Sequence, residues 1–262
     1  MSNELNQRGR GVQILLDNQK DQHESLLTAA LIARKLKLVL QGLFIEEENQ
    51  IRAADLSFSR EISLWSAKER QISSESVHRI LRANARLTQK ELKKVANSVK
   101  VDCSFQVIRG ERVQWIKDNI DSAEILFLGG NKLVNRSFQS LKYCCEVTPP
   151  LLAVFDGSKA SENAFKIAVQ IAENNKKSLL VLLLVNDLSD EQAIKDQINL
   201  LIQDHPDIIL DIETMTQSQF SNKSGQMRAH MLIIPRDMQW LQNKAHFGAL
   251  IQQAHCPVVL VR

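Results

Sequence analysis

What the sequence lacks excludes several classes of protein. No stretch of its 262 residues approaches the roughly 20 consecutive apolar residues that a membrane-spanning helix needs. The first residues, MSNELNQRGRG, contain no apolar segment of the kind found in secretion signals. The sequence therefore predicts a cytoplasmic protein that does not insert into a membrane.

Cysteine is scarce and follows no metal-binding or disulfide pattern. No CxxC pair occurs, so we expect neither a disulfide framework nor a cysteine-based metal site. Cys103 and Cys256 lie in apolar, strand-like segments and are interpreted as small core residues. The adjacent Cys144 and Cys145 are either a redox or metal pair or reduced structural thiols, and a cytosolic protein favours the thiols.

The motifs that usually carry catalysis are also missing. The sequence has no Gly-x-Ser-x-Gly turn, no Walker-type phosphate loop and no His-Glu-x-x-His zinc motif. Its histidines are scattered, and His246 and His255, nine residues apart, do not have the spacing of metal ligands. We therefore predict a protein without catalytic residues or a metal site, which is not an enzyme.

The net charge of +3 is too small to predict a nucleic-acid-binding protein. Basic residues are nevertheless concentrated between Ser66 and Lys100, where nine Lys or Arg stand against three Glu. A solvated helix face is the favoured interpretation of such a run, and a patch for nucleic acid or an anionic membrane is the alternative. No nucleic-acid partner is predicted.

The most informative stretch that is present runs from Leu151 to Ala172. The apolar segment Leu151–Phe155 is typical of a strand buried on both faces of a sheet. Asp156, Gly157 and Ser158 follow it, and together they suit a sharp turn that ends in a helix cap. Alanines at every fourth position then indicate a helix that lies close on the sheet. The stretch predicts a β-turn-α unit with polar residues at the ligand-binding edge of an α/β fold.

A second, weaker copy of this unit begins at Val12. Sliding the sequence by 139 residues places Asp17 on Asp156 and matches the apolar positions of the following helix and strand. This offset predicts an internal duplication, with one domain at 1–147 and a second at 148–262. The first copy has no identifiable fifth strand before Pro150. Its residues 46–70 have no counterpart in the second copy, and they are either a lid or a surface embellishment or dimer contact.

Four segments, taken in order, resemble the universal stress protein family. AVFDGSKASENAFKIAVQIA is similar to the opening of a universal stress protein domain, and HCPVVLVR to its closing helix and strand. DSAEILFLGG and IRGERVQWI are similar to the family's fourth strand and to its third strand with the next helix. The stretch GLFIEEENQIRAADLSFSREI resembles an insertion found in tandem members. The resemblance implies two tandem flavodoxin-like or Rossmann-like, doubly wound α/β domains with parallel five-stranded sheets, the first lacking its fifth strand.

The resemblance also implies a ligand, since some family members bind ATP or AMP. In those members the Asp that ends the first strand lies near the nucleoside. A Gly-x-x-Gly turn after the fourth strand, followed by Gly-Ser or Gly-Thr, cradles the phosphates with backbone N–H groups. The candidate nucleotide-binding residues here are Asp17, Gly129, Gly130, Lys132, Asp156, Gly157 and Ser158.

This sequence departs from the glycine signature in both copies. Lys132 replaces the second glycine in the first copy, and Pro235-Arg236-Asp237-Met238 occupies the place of the turn in the second. Weak or lost nucleotide binding follows, and helix capping is the favoured role of Asp156. The leading hypothesis is a stress-response protein that acts by binding and assembly. The alternatives are an ATP-binding, weakly ATP-hydrolysing protein of the same superfamily, and a regulatory interaction module for a transporter or channel.

The expected partner is the chain itself, in one of two arrangements. The two copies pair within one chain as a pseudo-dimer, or Val258–Val261 forms an exposed edge strand that pairs with another chain. A protein partner of any other kind cannot be named from the sequence.

Overall fold

The structure is a computed structural model that describes residues 11–16, 23–56, 59–62, 69–128, 149–185, 190–224, 227, 229–254 and 256–262. The strands are β1 (Gly11–Leu16), β2 (Val39–Glu47), β3 (Arg60–Ile62), β4 (Glu69–Gln71), β5 (Cys103–Gly110), β6 (Ile125–Leu128), β7 (Leu151–Phe155), β8 (Leu179–Leu184), β9 (Leu210–Met215), β10 (Met231–Pro235) and β11 (Val258–Val261). The helices are α1 (His23–Lys35), α2 (Glu48–Ala54), α3 (Ser74–Val99), α4 (Arg112–Asn119), α5 (Lys159–Asn175), α6 (Glu191–Ile202), α7 (Gln217–Lys223), α8 (Gln239–Gln242) and α9 (Lys244–Gln253).

Nine of the strands form one continuous sheet in the order β5-β2-β1-β6-β11-β10-β7-β8-β9. Neighbouring strands are parallel throughout, except that β11 runs antiparallel to β6. Each half places its strands in the order third, second, first, fourth, as in a doubly wound sheet. The predicted α/β class is therefore confirmed, with one nine-stranded sheet in place of two separate five-stranded ones.

The last strand of the chain joins the two halves. β11 bonds to β10 on one side, where Leu232 is opposite Val258, and to β6 on the other, where Phe127 is opposite Val259. The place beside β6, where a fifth strand of the first half would lie, is thus filled by the fifth strand of the second. The expectation that Val258–Val261 is an exposed edge strand was wrong, because it lies in the middle of the sheet. The two halves pair within the chain.

The hydrophobic core on one face of the sheet is shared by both halves. Ile14 and Phe44 from the first half belong to the same buried cluster as Ala153 and Phe165 from the second. On this face α1 and α3 pack on the first half, while α5 packs on the second and contacts α1. Because burial of this apolar surface is the main stabilising term, we infer that the halves stabilise each other.

Side chains alternate between the two faces along each strand. In β1, Ile14 and Leu16 face the shared cluster, while Leu15 belongs to a second cluster on the opposite face. That second cluster includes Ile116 of α4 and Phe247 of α9. Apolar residues are therefore needed at consecutive positions, which explains the uninterrupted apolar strands in the sequence.

The predicted insertion at 46–70 begins with the last two residues of β2 and continues through α2 and β3 into β4, which ends one residue later at Gln71. The short strands β3 and β4 pair antiparallel with each other. Ile51 and Ala54 of α2 are buried, and α2 contacts α3. Leu56 and Ile62 are large apolar residues with exposed side chains. The insertion therefore packs partly on the body of the protein and leaves apolar surface open. Within the described residues, no helix is both long and apolar enough to span a membrane.

Candidate nucleotide-binding edge

The turn after β7 is built by the residues that the sequence marks as candidate ligands. An oxygen of the Asp156 carboxylate accepts the Ser158 backbone N–H at 3.0 Å. Ser158 is the N-cap of α5, and its Oγ accepts the Ser161 N–H at 3.2 Å. These bonds satisfy backbone donors that the turn and the first helical turn would otherwise leave unpaired. The structure therefore places Asp156 and Ser158 together and uses both to form the turn.

Gly157 lies close beneath α6. Its φ is +80°, a conformation that residues with a Cβ rarely adopt. A Cβ added at this position would lie 3.3 Å from Cγ1 of Ile194 and 3.7 Å from Oε1 of Gln197. The space on the Cβ side of this glycine is therefore bordered by side chains of α6.

The Gly157→Ala variant is expected to lower the free energy of unfolding by about 1–3 kcal/mol, through backbone strain and the contact with Ile194. Gly248→Ala is the matched control, because Gly248 lies within α9 with open space around it and no positive φ. The same substitution there should raise stability by about 0.5–1 kcal/mol. Urea unfolding measures both, and a neutral result at Gly157 would contradict the packing described here.

Two carboxylates near this edge are held by neighbouring side chains. Glu162 accepts from Lys159 Nζ at 2.6 Å and from Gln197 Nε2 at 2.7 Å, and these bonds, chiefly the one from Lys159, lower its pKa. Glu191 accepts hydrogen bonds from Lys195 and Thr214, which lower its pKa in the same way, that from Lys195 most strongly. Both carboxylates are therefore ionised at neutral pH, and each already has a lysine as its ion-pair partner. The described part of the chain contains no cluster of three or more groups able to hold a metal ion.

Arg236 follows β10 at the position where a phosphate-binding turn would begin. Its Nη1 donates to the backbone carbonyl oxygens of Ile120 at 3.1 Å and Ala123 at 3.2 Å, both in the first half. Its Nε lies 3.4 Å from a carboxylate oxygen of Asp121 and 3.5 Å from one of Asp237. The residue is only 9% exposed. This guanidinium therefore connects the two halves next to β11.

Sequence reasoning missed the role of Arg236. The sequence shows only that Pro235-Arg236-Asp237-Met238 replaces a glycine turn. Pro235 pairs with Val261 at the end of the ladder and offers no N–H of its own. The backbone N–H of Arg236 donates to the Val261 carbonyl at 2.7 Å. The backbone N–H and the side chain of Arg236 thus both form hydrogen bonds within the protein.

The corresponding edge of the first half is described only in part. Asp17, Gly129, Gly130 and Lys132 lie outside the described residues, as do Cys144 and Cys145. At the end of β2, the strand next to β1, Glu46 is buried, and its carboxylate lies 3.4 Å from Nη2 of Arg109 on β5. Sequence reasoning assigned Glu46 only to the start of the insertion, and no motif distinguishes it. It is a charged group at the edge where a ligand of the first half would bind.

Cys256 and His246 belong to the packing on the opposite face of the sheet. Cys256 is buried in the second cluster, and burial raises the pKa of its thiol to about 12. The thiol is therefore protonated and unreactive at neutral pH. The His246 ring stacks on Trp240 with ring centroids 5.3 Å apart. Neither side chain lies with the candidate residues after β7.

No protein-family model and no curated protein matches the sequence. Solved structures do match. A universal stress protein from Archaeoglobus fulgidus is 11% identical over 95% of this chain and 98% of its own, with a TM-score of 0.49. The cytoplasmic domain of a prokaryotic cation chloride cotransporter is 9% identical over 96% and 94%, with a TM-score of 0.44. A universal stress protein in complex with cAMP is 14% identical over 44% and 98%, with a TM-score of 0.36.

Proposed function

We propose that this chain is a universal stress protein-like, non-catalytic protein that acts in stress response by binding and assembly. In this proposal its second half does not bind nucleotide, and any adenine-nucleotide binding is weak and confined to the first half. The observation that carries the proposal is the Arg236 guanidinium, which is bonded to carbonyl oxygens of the first half where phosphates would otherwise be held.

Three features of the second half argue against a nucleotide there. Phosphates bind where several free backbone N–H groups converge, whereas Pro235 has none and that of Arg236 is already bonded. The Asp156 carboxylate is engaged in the turn before α5. A Cβ-sized group next to Gly157 would already touch α6. Together these features leave fewer free backbone donors, a carboxylate that already accepts a hydrogen bond, and little space beside Gly157.

The non-catalytic part of this proposal rests on the hydrogen bonds that the carboxylates near this edge already accept. Hydrolysis of ATP requires an acidic residue that holds a magnesium ion beside the phosphates. Near this edge, Glu162 and Glu191 already accept hydrogen bonds from the cationic side chains of Lys159 and Lys195. The alternative is a weak ATPase, and magnesium-dependent hydrolysis of ATP by the purified protein would be the evidence for it.

Isothermal titration with ATP, ADP, AMP and cAMP, each with Mg²⁺, tests the proposal. We expect weak or no binding, and any heat that is seen should be reduced by Asp17→Asn and unchanged by Asp156→Asn. The two substitutions are a matched pair, since each removes the charge from the Asp that directly follows the first strand of its half in the sequence. Micromolar affinity that Asp156→Asn abolishes would overturn the assignment of the second half, and Mg²⁺-dependent release of phosphate would overturn the non-catalytic part.

A regulatory interaction module for a transporter or channel is the second candidate function. The observation that favours it is the insertion, where Leu56 and Ile62 present exposed apolar side chains. Exposed apolar surface on an inserted segment is typical of a contact surface. In this candidate the insertion at 46–70, and not the nucleotide-binding edge, contacts the partner.

A further inference from the structure

One face of α3 is strongly basic. Six cations of this helix are exposed to solvent, and we call them the basic face. They are Arg79, Arg82, Arg86, Lys90, Lys93 and Lys94. The opposite side of α3, which includes Leu92, Val95 and Ala96, is buried in the shared core and fixes the orientation of the helix.

The spacing of these cations destabilises the helix itself. Arg82, Arg86, Lys90 and Lys94 follow one another at intervals of four residues, which brings like charges together on one surface. Each such pair destabilises a helix by about 0.2–0.5 kcal/mol. Within the described residues, Arg79 has an ion-pair partner in Glu75, at 3.4 Å, and no carboxylate pairs with the other five. The repulsion is therefore not relieved inside the protein.

Exposed apolar side chains border the same face. Ile80 is 46% exposed and Leu87 is 63% exposed. With Lys94 they form a row of residues seven apart, about 21 Å long at the rise of an α-helix. Aliphatic side chains beside lysine and arginine are typical of helices that lie on a membrane surface, because the apolar groups enter the boundary region while the cations meet lipid phosphates.

We propose that the basic face of α3 binds the surface of an anionic lipid bilayer as a peripheral contact. The exposed Ile80 and Leu87 favour lipid over nucleic acid, since aliphatic groups gain nothing against a phosphate backbone. The face also contains no aromatic side chain on which bases stack. This inference concerns the exposed side of α3 and is independent of the function proposed above.

Co-sedimentation of the full chain with vesicles tests the proposal. We expect binding to phosphatidylcholine vesicles that contain phosphatidylserine, little binding to phosphatidylcholine alone, and weakening by salt. The triple variant R82Q/R86Q/K90Q should bind the anionic vesicles about 100-fold more weakly, at about 1 kcal/mol for each charge near the surface. The charge-matched control, K117Q/K166Q/K223Q, removes three cations from α4, α5 and α7 and should retain most of the binding.

The apolar contribution is tested separately by Leu87→Gln. This change keeps every charge and should still weaken vesicle binding several-fold, because the exposed leucine no longer enters the lipid boundary. Circular dichroism melts check that each variant is folded. Equal binding to neutral and anionic vesicles, equal losses in the two triple variants, or no vesicle binding by the unaltered chain would each overturn the proposal. So would retention of a labelled DNA or RNA duplex without retention of vesicles, which would identify nucleic acid as the partner.

Discussion

Truncation of the chain after Ala254 is expected to abolish cooperative unfolding of the whole protein. The deleted segment includes β11, whose four residues are buried and which bonds to β10 and to β6 at once. Its loss exposes two strand edges in the middle of the sheet and opens both hydrophobic clusters. Thermal melts followed by circular dichroism, together with size-exclusion chromatography, should show a chain that aggregates or unfolds without a sharp transition.

Single substitutions test the same argument with less disruption. Leu260 of β11 is 1% exposed, so Leu260→Ala is expected to lower the free energy of unfolding by about 2–5 kcal/mol. Leu200 of α6 is 66% exposed, and the same change there should alter stability by less than about 0.5 kcal/mol. Urea titration compares the two. Equal losses at both positions, or a truncated chain that still unfolds in one sharp transition, would contradict the central position of β11.

Local patterns predict the strands and helices of this chain well. The predicted strands Leu151–Phe155 and Val258–Val261 have the bounds that the structure gives to β7 and β11. The spacing of Leu92, Val95, Ala96 and Val99 likewise indicates a helix, and the structure has α3 there, at Ser74–Val99. These elements are marked by signals within a few residues: uninterrupted apolar runs for buried strands, and a repeat of apolar positions for a helix. The α/β class follows from their alternation.

The sharing of β11 between the halves could not be read from such signals. An edge strand that pairs with another chain and a strand in the interior of a sheet are both apolar, so the sequence VVLV fits either place. What distinguishes them is the strand on the far side, and β6 is more than 125 residues earlier in the chain. Pairing at that distance depends on the packing of the whole sheet. The sequence therefore left two arrangements open, and the structure selects the pseudo-dimer.

The role of Arg236 was hidden for a related reason. Its hydrogen-bond acceptors are backbone carbonyl oxygens, which every residue has, and they lie 116 and 113 positions away along the chain. A pattern of residue types cannot identify such partners. The glycine signature predicts only where a phosphate site would be. Its replacement by Pro235-Arg236-Asp237-Met238 therefore indicates only that the phosphate-binding glycines are missing. The structure shows in addition what the replacing residue binds.

Arg236→Met is expected to lower the free energy of unfolding by about 3 kcal/mol, because two carbonyl oxygens next to the junction of the halves lose a charged donor. Methionine keeps much of the side-chain volume, so the change chiefly removes hydrogen bonds and charge. Arg52→Met is the matched control. Arg52 forms an exposed ion pair with Glu48 at 2.7 Å, and such pairs contribute about 1 kcal/mol or less. Urea unfolding measures both variants.

Arg236→Lys separates a structural role from a ligand-binding one. A lysine has the same charge but lacks the rigid fork of the guanidinium, so it cannot reproduce the bonds to Ile120 and Ala123 together with the contact to Asp121. If Arg236 connects the halves, the lysine variant should lose much of the stability that the methionine variant loses, and nucleotide titrations should not change in either. If Arg236 instead binds phosphate, the lysine should restore nucleotide binding and both variants should keep their stability. Full stability of Arg236→Met would therefore refute the connecting role, since that role requires the carbonyls at the junction to depend on this side chain.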